Sequence, residues 1–347
     1  MIITYFRSSS YNAHSLCEQQ YFAEYVLGWR GPSGQKADKG TIVHKVLEIL
    51  ADIKKATQDG LKEITDNIVG KVLIDDYNIE NLSTLIYNYY SIGNPHHKWV
   101  DKDRKDCYDW TQKAITYNEG MFDPRNKDIV ASEMHFDFEI QKPWAEYSYQ
   151  TSDGNISGNL ALKGTIDLVT RVNDNFFEII DWKTGKRRDW ATGKEKTLES
   201  LQDDPQLRIY HYAVQHMYPE VENIMVTINY INDGGPFSIY FDKSDLSRTE
   251  DMLRAKFEVI RKAKKPKLSK TWMCNKLCHF GKSTFENTDI SPIVEYRDGQ
   301  ICKANSVMTK CEQIKHDTIL YGIDTVVDLY KHKNYTIGKY KAPGCIE

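Results

Sequence analysis

The run from residue 161 to residue 183 constrains the chain most, because it sets a local geometry and places charges on it. Leu162, Ile166, Leu168 and Val172 alternate with Thr165, Asp167, Val169 and Arg171. A period of two is the spacing of a strand. Asn173-Asp174-Asn175 follows, then Phe176 to Lys183, so the pattern predicts a hairpin. A three-residue loop would pair Val172 with Phe176 and set Asp167 opposite Asp181, with Cβ atoms roughly 4.5–5.5 Å apart. Asp181 and Lys183 stand two apart and share a face. Two carboxylates and an ammonium are therefore expected on one patch. Like charges that close repel unless a cation bridges them, and hard oxygen ligands suit Mg²⁺ or Mn²⁺.

The surrounding pattern is α/β. Ser8-Ser9-Ser10 followed by Leu16, Tyr21, Phe22 and Tyr25, with Gly28 as a stop, predicts a helix over 8–28. A second helix is expected from near Gly40, with Ile42, Val43, Val46, Leu47 and Leu50 at helical spacing. Residues 61–120 read as mostly helical, with a break at Gly93-Asn94-Pro95. Residues 129–140 alternate, with Glu133, His135, Asp137 and Glu139 on the polar face. A helix is expected from Asp204-Pro205, strands over 224–231 and 237–242, and a basic helix over about 245–264.

At 347 residues the chain suits one large domain with insertions, or a core with an appendage. No apolar run approaches about 18 residues, so no membrane span is expected. The N-terminus has no basic stretch leading into a long apolar one, and the seven cysteines are no disulfide scaffold. A cytoplasmic setting is expected, that of a host cell if the chain is viral. Lys- and Arg-residues number 46 against 49 acids, a net charge of -3. Nucleic acid would thus have to be met through a local patch.

Four short runs stand in order: Gly40-Thr-Ile-Val-His44, Gly164-Thr-Ile-Asp167, Asp181-Trp-Lys183-Thr-Gly185 and Gln206-Leu-Arg-Ile-Tyr210. Together they resemble the RecB-like branch of the PD-(D/E)XK nuclease superfamily, in particular its iron–sulfur exonucleases, the CRISPR-adaptation and AddB-type enzymes and phage exonucleases among them. The resemblance covers roughly residues 8–215. It implies a restriction-endonuclease-like mixed β-sheet flanked by helices, with a nuclease core over 1–270 and a helical insertion at about 55–125. A cysteine-bearing region with a helical tail, 271–347, would then pack on the N-terminal helix.

The resemblance also implies roles. His44, Asp167, Asp181 and the backbone carbonyl of Trp182 would ligate the divalent ion. Lys183 would position the attacking water, and Gln206 and Tyr210, one turn apart on a helix, would steady the substrate or the lysine. Glu133 is either a further acidic member of the site or a plain polar residue of its strand. The implied activity is a metal-dependent deoxyribonuclease, an exonuclease on single-stranded DNA ends, in recombination, repair or phage DNA metabolism. Recombination or replication proteins would be its further partners. A structure-specific endonuclease of the same fold and a catalytically silent DNA-binding subunit are the rival readings.

Cys17, Cys274 and Cys278 belong to the same comparison, since relatives in this branch staple their two ends with a [4Fe–4S] cluster. This chain departs from the usual spacing: Cys274 and Cys278 are four apart, and position 284 is Thr. Cys311, or else Cys302, would supply the fourth thiolate, with Cys107 and Cys345 poorer candidates. Zinc, with His279 as a ligand, and unligated thiols remain alternatives. Lys186-Arg187-Arg188 directly follows the acidic strand and is the expected DNA contact, ahead of the 254–270 segment with its eight cations and one acid. Trp182, Trp190 and Tyr210 are the aromatic candidates for base stacking.

Overall fold

The structure, a computed structural model, describes residues 1–152, 154–189, 193–283 and 309–332, and the backbone of two short strands at 295–297 and 300–302. Trp190 and Cys345, and the side chain of Cys302, lie outside the described residues. Six strands form a mixed sheet: β1 (Tyr5–Phe6), β2 (Ile129–Glu139), β3 (Ala161–Asn173), β4 (Phe176–Lys183), β5 (Asn223–Tyr230) and β6 (Gly235–Asp242). The order is β1-β3-β4-β5-β6, with β2 also pairing β3. The helices that matter below are α1 (Ser8–Leu16), α2 (Gln35–Gln58), α3 (Ile79–Gly93), α4 (Asp101–Thr116), α5 (Pro205–Met217) and α6 (Asp245–Lys262).

The chain packs as two compact units. One comprises Ser33–Phe136 and Gly164–Thr249, and it holds α2 to α5 and most of the sheet. Strand β4 is buried along nearly its whole length, as a strand with both faces covered must be. From α2, Ile42, Val43, Val46, Leu47 and Leu50 pack against Leu168, Ile180 and Trp182 of the sheet. Each such side chain stabilises the unit by roughly 1.5–3 kcal/mol when fully buried. Helix α2 begins at Gln35, five residues before the expected start, because its first turn is polar and carries no apolar period. The 61–120 segment holds more than helices: Glu63–Asp66 and Gly70–Leu73 pair as a hairpin ahead of α3 and α4.

The expected β3–β4 hairpin forms, with Leu168 opposite Ile180 and Arg171 opposite Phe177. At the turn Asn173, rather than Val172, faces Phe176, and Val172 is the extra residue of a bulge. Asn173 closes the tighter loop by accepting the Asn175 N–H at 3.0 Å. The bulge absorbs the one-residue difference, so the register at the acidic end is the expected one.

The other unit comprises Met1–Pro32, Asp137–Lys163 and Glu250–Glu347. Here β1 pairs in parallel with Ala161 and Leu162 of β3. The helix expected over 8–28 is broken: α1 stops at Leu16, Cys17 is extended, Glu18–Tyr21 is helical, and Phe22–Val26 is a π-turn. Cys17 therefore sits at a helix break and not within a helix. Helices Lys310–Tyr321 and Ile323–Tyr330 follow near the C-terminus, and Trp29 Nε1 donates to the Tyr330 carbonyl at 2.6 Å.

Candidate active site

The β3–β4 ladder ends at Leu168 and Ile180. One step further, the Trp182 N–H donates to Asp167 Oδ2 at 2.9 Å, so a side chain stands where a backbone carbonyl would otherwise continue the ladder. The strands part there and open a groove lined by Ala37, Gly40, His44, Glu133, Lys183 and Thr184 among others. On the far edge of β4, the Ile231 N–H donates to the Lys183 carbonyl at 3.0 Å. Successive carbonyls of a strand point to opposite edges, so that of Trp182 faces the Asp167 side.

Two glycines make the close approaches possible. A Cβ on Gly40 would stand 2.8 Å from Thr184 Oγ1, and one on Gly164 would stand 2.5 Å from the Phe136 ring. Any larger residue at either position would push the strand ends away from α2 or from β2.

His44 Nδ1 lies 3.4 Å from Asp167 Oδ2. His44, Glu133 and Asp167 each offer a ligand atom, and these three atoms all lie within 4.8 Å of one another. Asp181 is fully buried and is held from the other side. Lys183 Nζ reaches it at 2.7 Å, and Gln206 Nε2 donates to it at 3.1 Å. The same Gln206 nitrogen lies 2.7 Å from the Tyr210 hydroxyl. Gln206 is placed by the start of α5, where Asp204 accepts its N–H, Pro205 opens the helix, and Lys196 holds Asp204 at 2.6 Å.

Glu133 is half-buried and its backbone is left-handed, φ 42°. This shifts the phase of β2, so that Ile129 on one side of it and Met134 and Phe136 on the other are all buried. The strict alternation expected for 129–140 is thus broken at the one residue that enters the groove. His135 and Asp137, its expected companions, are engaged elsewhere: His135 with Thr165 at 2.8 Å, Asp137 with Lys163 at 2.8 Å.

The electrostatics are those of a site short of positive charge. Burial, with Asp167 and Glu48 nearby, pushes Glu133 up to about 7. Burial and the adjacent Asp167 push Asp181 up to about 6, although Lys183 opposes this. Burial would raise Asp167 too, but His44 and Lys183 hold it below the usual carboxylate range. Burial works against the His44 and Lys183 charges, yet the carboxylates keep both above their ordinary values. Imidazole and carboxylate oxygen at this spacing fit a divalent cation, which would relieve the repulsion.

A model of the PD-(D/E)XK nuclease superfamily matches residues 8–283. The chain belongs to this superfamily. As a PD-(D/E)XK nuclease it carries a mixed sheet flanked by helices, with the groove at the parting of β3 and β4. A candidate exonuclease from Eubacterium rectale shares 12% identity with it, over 80% of this chain and 86% of that one, at a TM-score of 0.44. No curated protein matches the sequence.

Elsewhere in the nuclease the expected residues divide. Trp182 and Tyr210 are buried, Trp182 in the core beside α2, so neither ring is presented to a base as expected. Lys186 and Arg188 are exposed. Arg187 is not free in the same way: its guanidinium pairs with Glu195, donates to the Lys196 carbonyl at 2.8 Å and lies 4.2 Å from the Phe237 ring centre. On α6, Arg261 and Lys262 both pair with Glu258, and Lys256 donates to Ser15 at 2.8 Å.

Within the other unit, Cys17, Cys274, Cys278 and Cys311 line one cavity of about 310 Å³. Burial, then the neighbouring thiols, push Cys311 up to about 12. Cys278 is also raised by burial, although the Phe280 and Gly281 N–H groups hydrogen-bond to it. His279 does not line this cavity. Cys107 is buried in the core cluster around α2. No helix among the described residues is long and apolar enough to cross a membrane.

Proposed function

We propose that this nuclease is a divalent-metal-dependent deoxyribonuclease that removes nucleotides from single-stranded DNA ends. The observation that carries the reading is the convergence of His44, Glu133 and Asp167 beside the Asp181–Lys183 pair. His44, Glu133, Asp167, Asp181 and the Trp182 carbonyl would hold Mg²⁺ or Mn²⁺, which supplies Lewis acidity at the scissile phosphate. Lys183 orients the attacking water and offsets negative charge developing on phosphate oxygens. Gln206, braced by Tyr210, keeps Asp181 from turning away from the groove. Lys186 and Arg188 meet the DNA backbone, with Arg187 fastening their loop.

The cysteine cavity supports a [4Fe–4S] cluster held by Cys17, Cys274, Cys278 and Cys311. Four thiols lining one cavity suit thiolate ligation of iron, and metal analysis of the purified protein separates iron from zinc.

The test is end-labelled linear single-stranded DNA beside a circular form, each with Mn²⁺. Loss of the linear form alone supports the exonuclease. Nicked circles would make it an endonuclease, and two intact substrates a binding protein.

A further inference from the structure

We propose that Tyr117 and Met121 form a stacking platform for the unpaired bases of single-stranded nucleic acid entering the groove. The inference rests on the nuclease reading above and names a part of its substrate site. Its starting point is a backbone outlier. Asn118, Glu119 and Gly120 are left-handed in succession, with φ 42°, 58° and 85°. Two neighbouring non-glycine residues in that region are costly, and such conformations persist only where their surroundings hold them.

The surroundings hold this turn from the inside. The Gly120 carbonyl accepts from Asp123 N at 3.0 Å and from Asn126 Nδ2 at 3.1 Å. Phe122 is buried, with its ring 5.9 Å from that of Tyr117. The outer side is left to solvent: Tyr117 is 41% and Met121 47% exposed. Tyr117 and Met121 stand four residues apart across this held turn, and each leaves close to half of its surface open as an apolar shelf. Every base has a flat face to lay on such a shelf.

Its place ties it to the catalytic groove. The Tyr117 ring lies against Gly235 at the start of β6, about 3.1 Å from where a Cβ would stand. In the preceding turn Asn232 accepts from Lys113 Nζ at 3.3 Å and donates to the Thr184 carbonyl at 3.4 Å. Thr184 lines the metal-binding groove, and exposed Lys186 follows it closely. Exposed Lys113 bonds Asn232 beside the shelf and exposed Lys186 follows Thr184 at the groove, cations that the phosphates of a strand between the two would meet. A paired duplex keeps its bases stacked on each other and cannot use the shelf.

The experiment uses single-stranded oligonucleotides with 2-aminopurine at each terminal position in turn, and the matching duplex, on the full chain. Fluorescence in EDTA reads stacking without cleavage, and Mn²⁺ kinetics read kcat and KM. Tyr117→Ala is expected to abolish the quench and raise KM for single strands roughly 5- to 150-fold, from the range for one stacked base. It should leave kcat and duplex affinity unchanged. Tyr117→Phe should retain wild-type behaviour, and Met121→Ala should show a smaller shift in the same direction. If the wild type cleaves single strands but Tyr117→Ala and Met121→Ala leave quench and KM unchanged, the platform is overturned while the nuclease reading stands. If nothing is cleaved yet the quench depends on Tyr117, the platform stands and the nuclease reading fails. Absence of both cleavage and quench overturns both.

Discussion

Asp167 accepts the backbone N–H of Trp182 at 2.9 Å, so one carboxylate both ends the β3–β4 ladder and faces His44. Asp167→Asn keeps an oxygen for that N–H but loses the charge. The variant is expected to fold as the wild type does, to cleave at least 100-fold more slowly, and to recover in part at high Mn²⁺. Cleavage rates at several Mn²⁺ concentrations check this.

Lys183→Ala and Asp181→Ala remove, respectively, the ammonium proposed to orient the attacking water and the carboxylate paired with it. Each is expected to lower kcat by about 10²–10⁴, the usual span for a positioned proton-handling group. DNA affinity should change little, and purified Lys183→Ala with full activity would remove the assignment.

Glu133 gives a pH dependence with a definite sign. Its folded value is about 7 against an ordinary 4.5, so between these limits the folded state holds more protons than the unfolded one. Stability from this group therefore falls as pH rises through that window. The metal-free thermal midpoint of Glu133→Gln should overtake that of the wild type as pH rises from about 5 to about 8. Added Mn²⁺ should raise the wild-type midpoint more at the upper end.

The basic loop separates binding from architecture. Reversing Lys186 and Arg188 should weaken single-strand binding and lower its salt slope by about 0.7 per lost phosphate contact. Arg187→Ala should lower thermal stability first, since that side chain ties Glu195, Lys196 and Phe237 together. Titrations at several salt concentrations, with melting curves alongside, distinguish the two.

With the proposed cluster in place, Cys17→Ser and Cys311→Ser are expected to lower iron content and thermal midpoint together, because the energy of metal binding would then be folding energy. Cys107→Ser, in the other unit's core, should leave iron unchanged. A colourless, iron-free wild type would return the four thiols to packing.

The hairpin was legible because a period of two and an Asn-rich turn fix register over a whole strand, and a local bulge at Val172 does not disturb it. The Asp181–Lys183 and Gln206–Tyr210 pairings follow from the same logic of shared faces. Glu133 read as either a further acidic member of the site or a plain polar residue, since no periodicity announces a left-handed backbone at a glutamate. The Glu63–Leu73 hairpin escaped because its short strands are largely exposed and carry no apolar rhythm. Arg187 read as one more cation because its partners are brought to it by loop closure, which charge counting does not see.

The backbone of Glu133 makes the groove a reservoir of unspent stability. Glycine at this position would relieve a left-handed strain worth about 1 kcal/mol and dismiss a repelled carboxylate in one change. A lineage freed from the need to cut could therefore drift to a hardier, silent protein by a single codon. Selection for robustness alone would pull the same way. Under the proposed metal-binding role of Glu133, cleavage and ruggedness therefore make opposite demands on this one position.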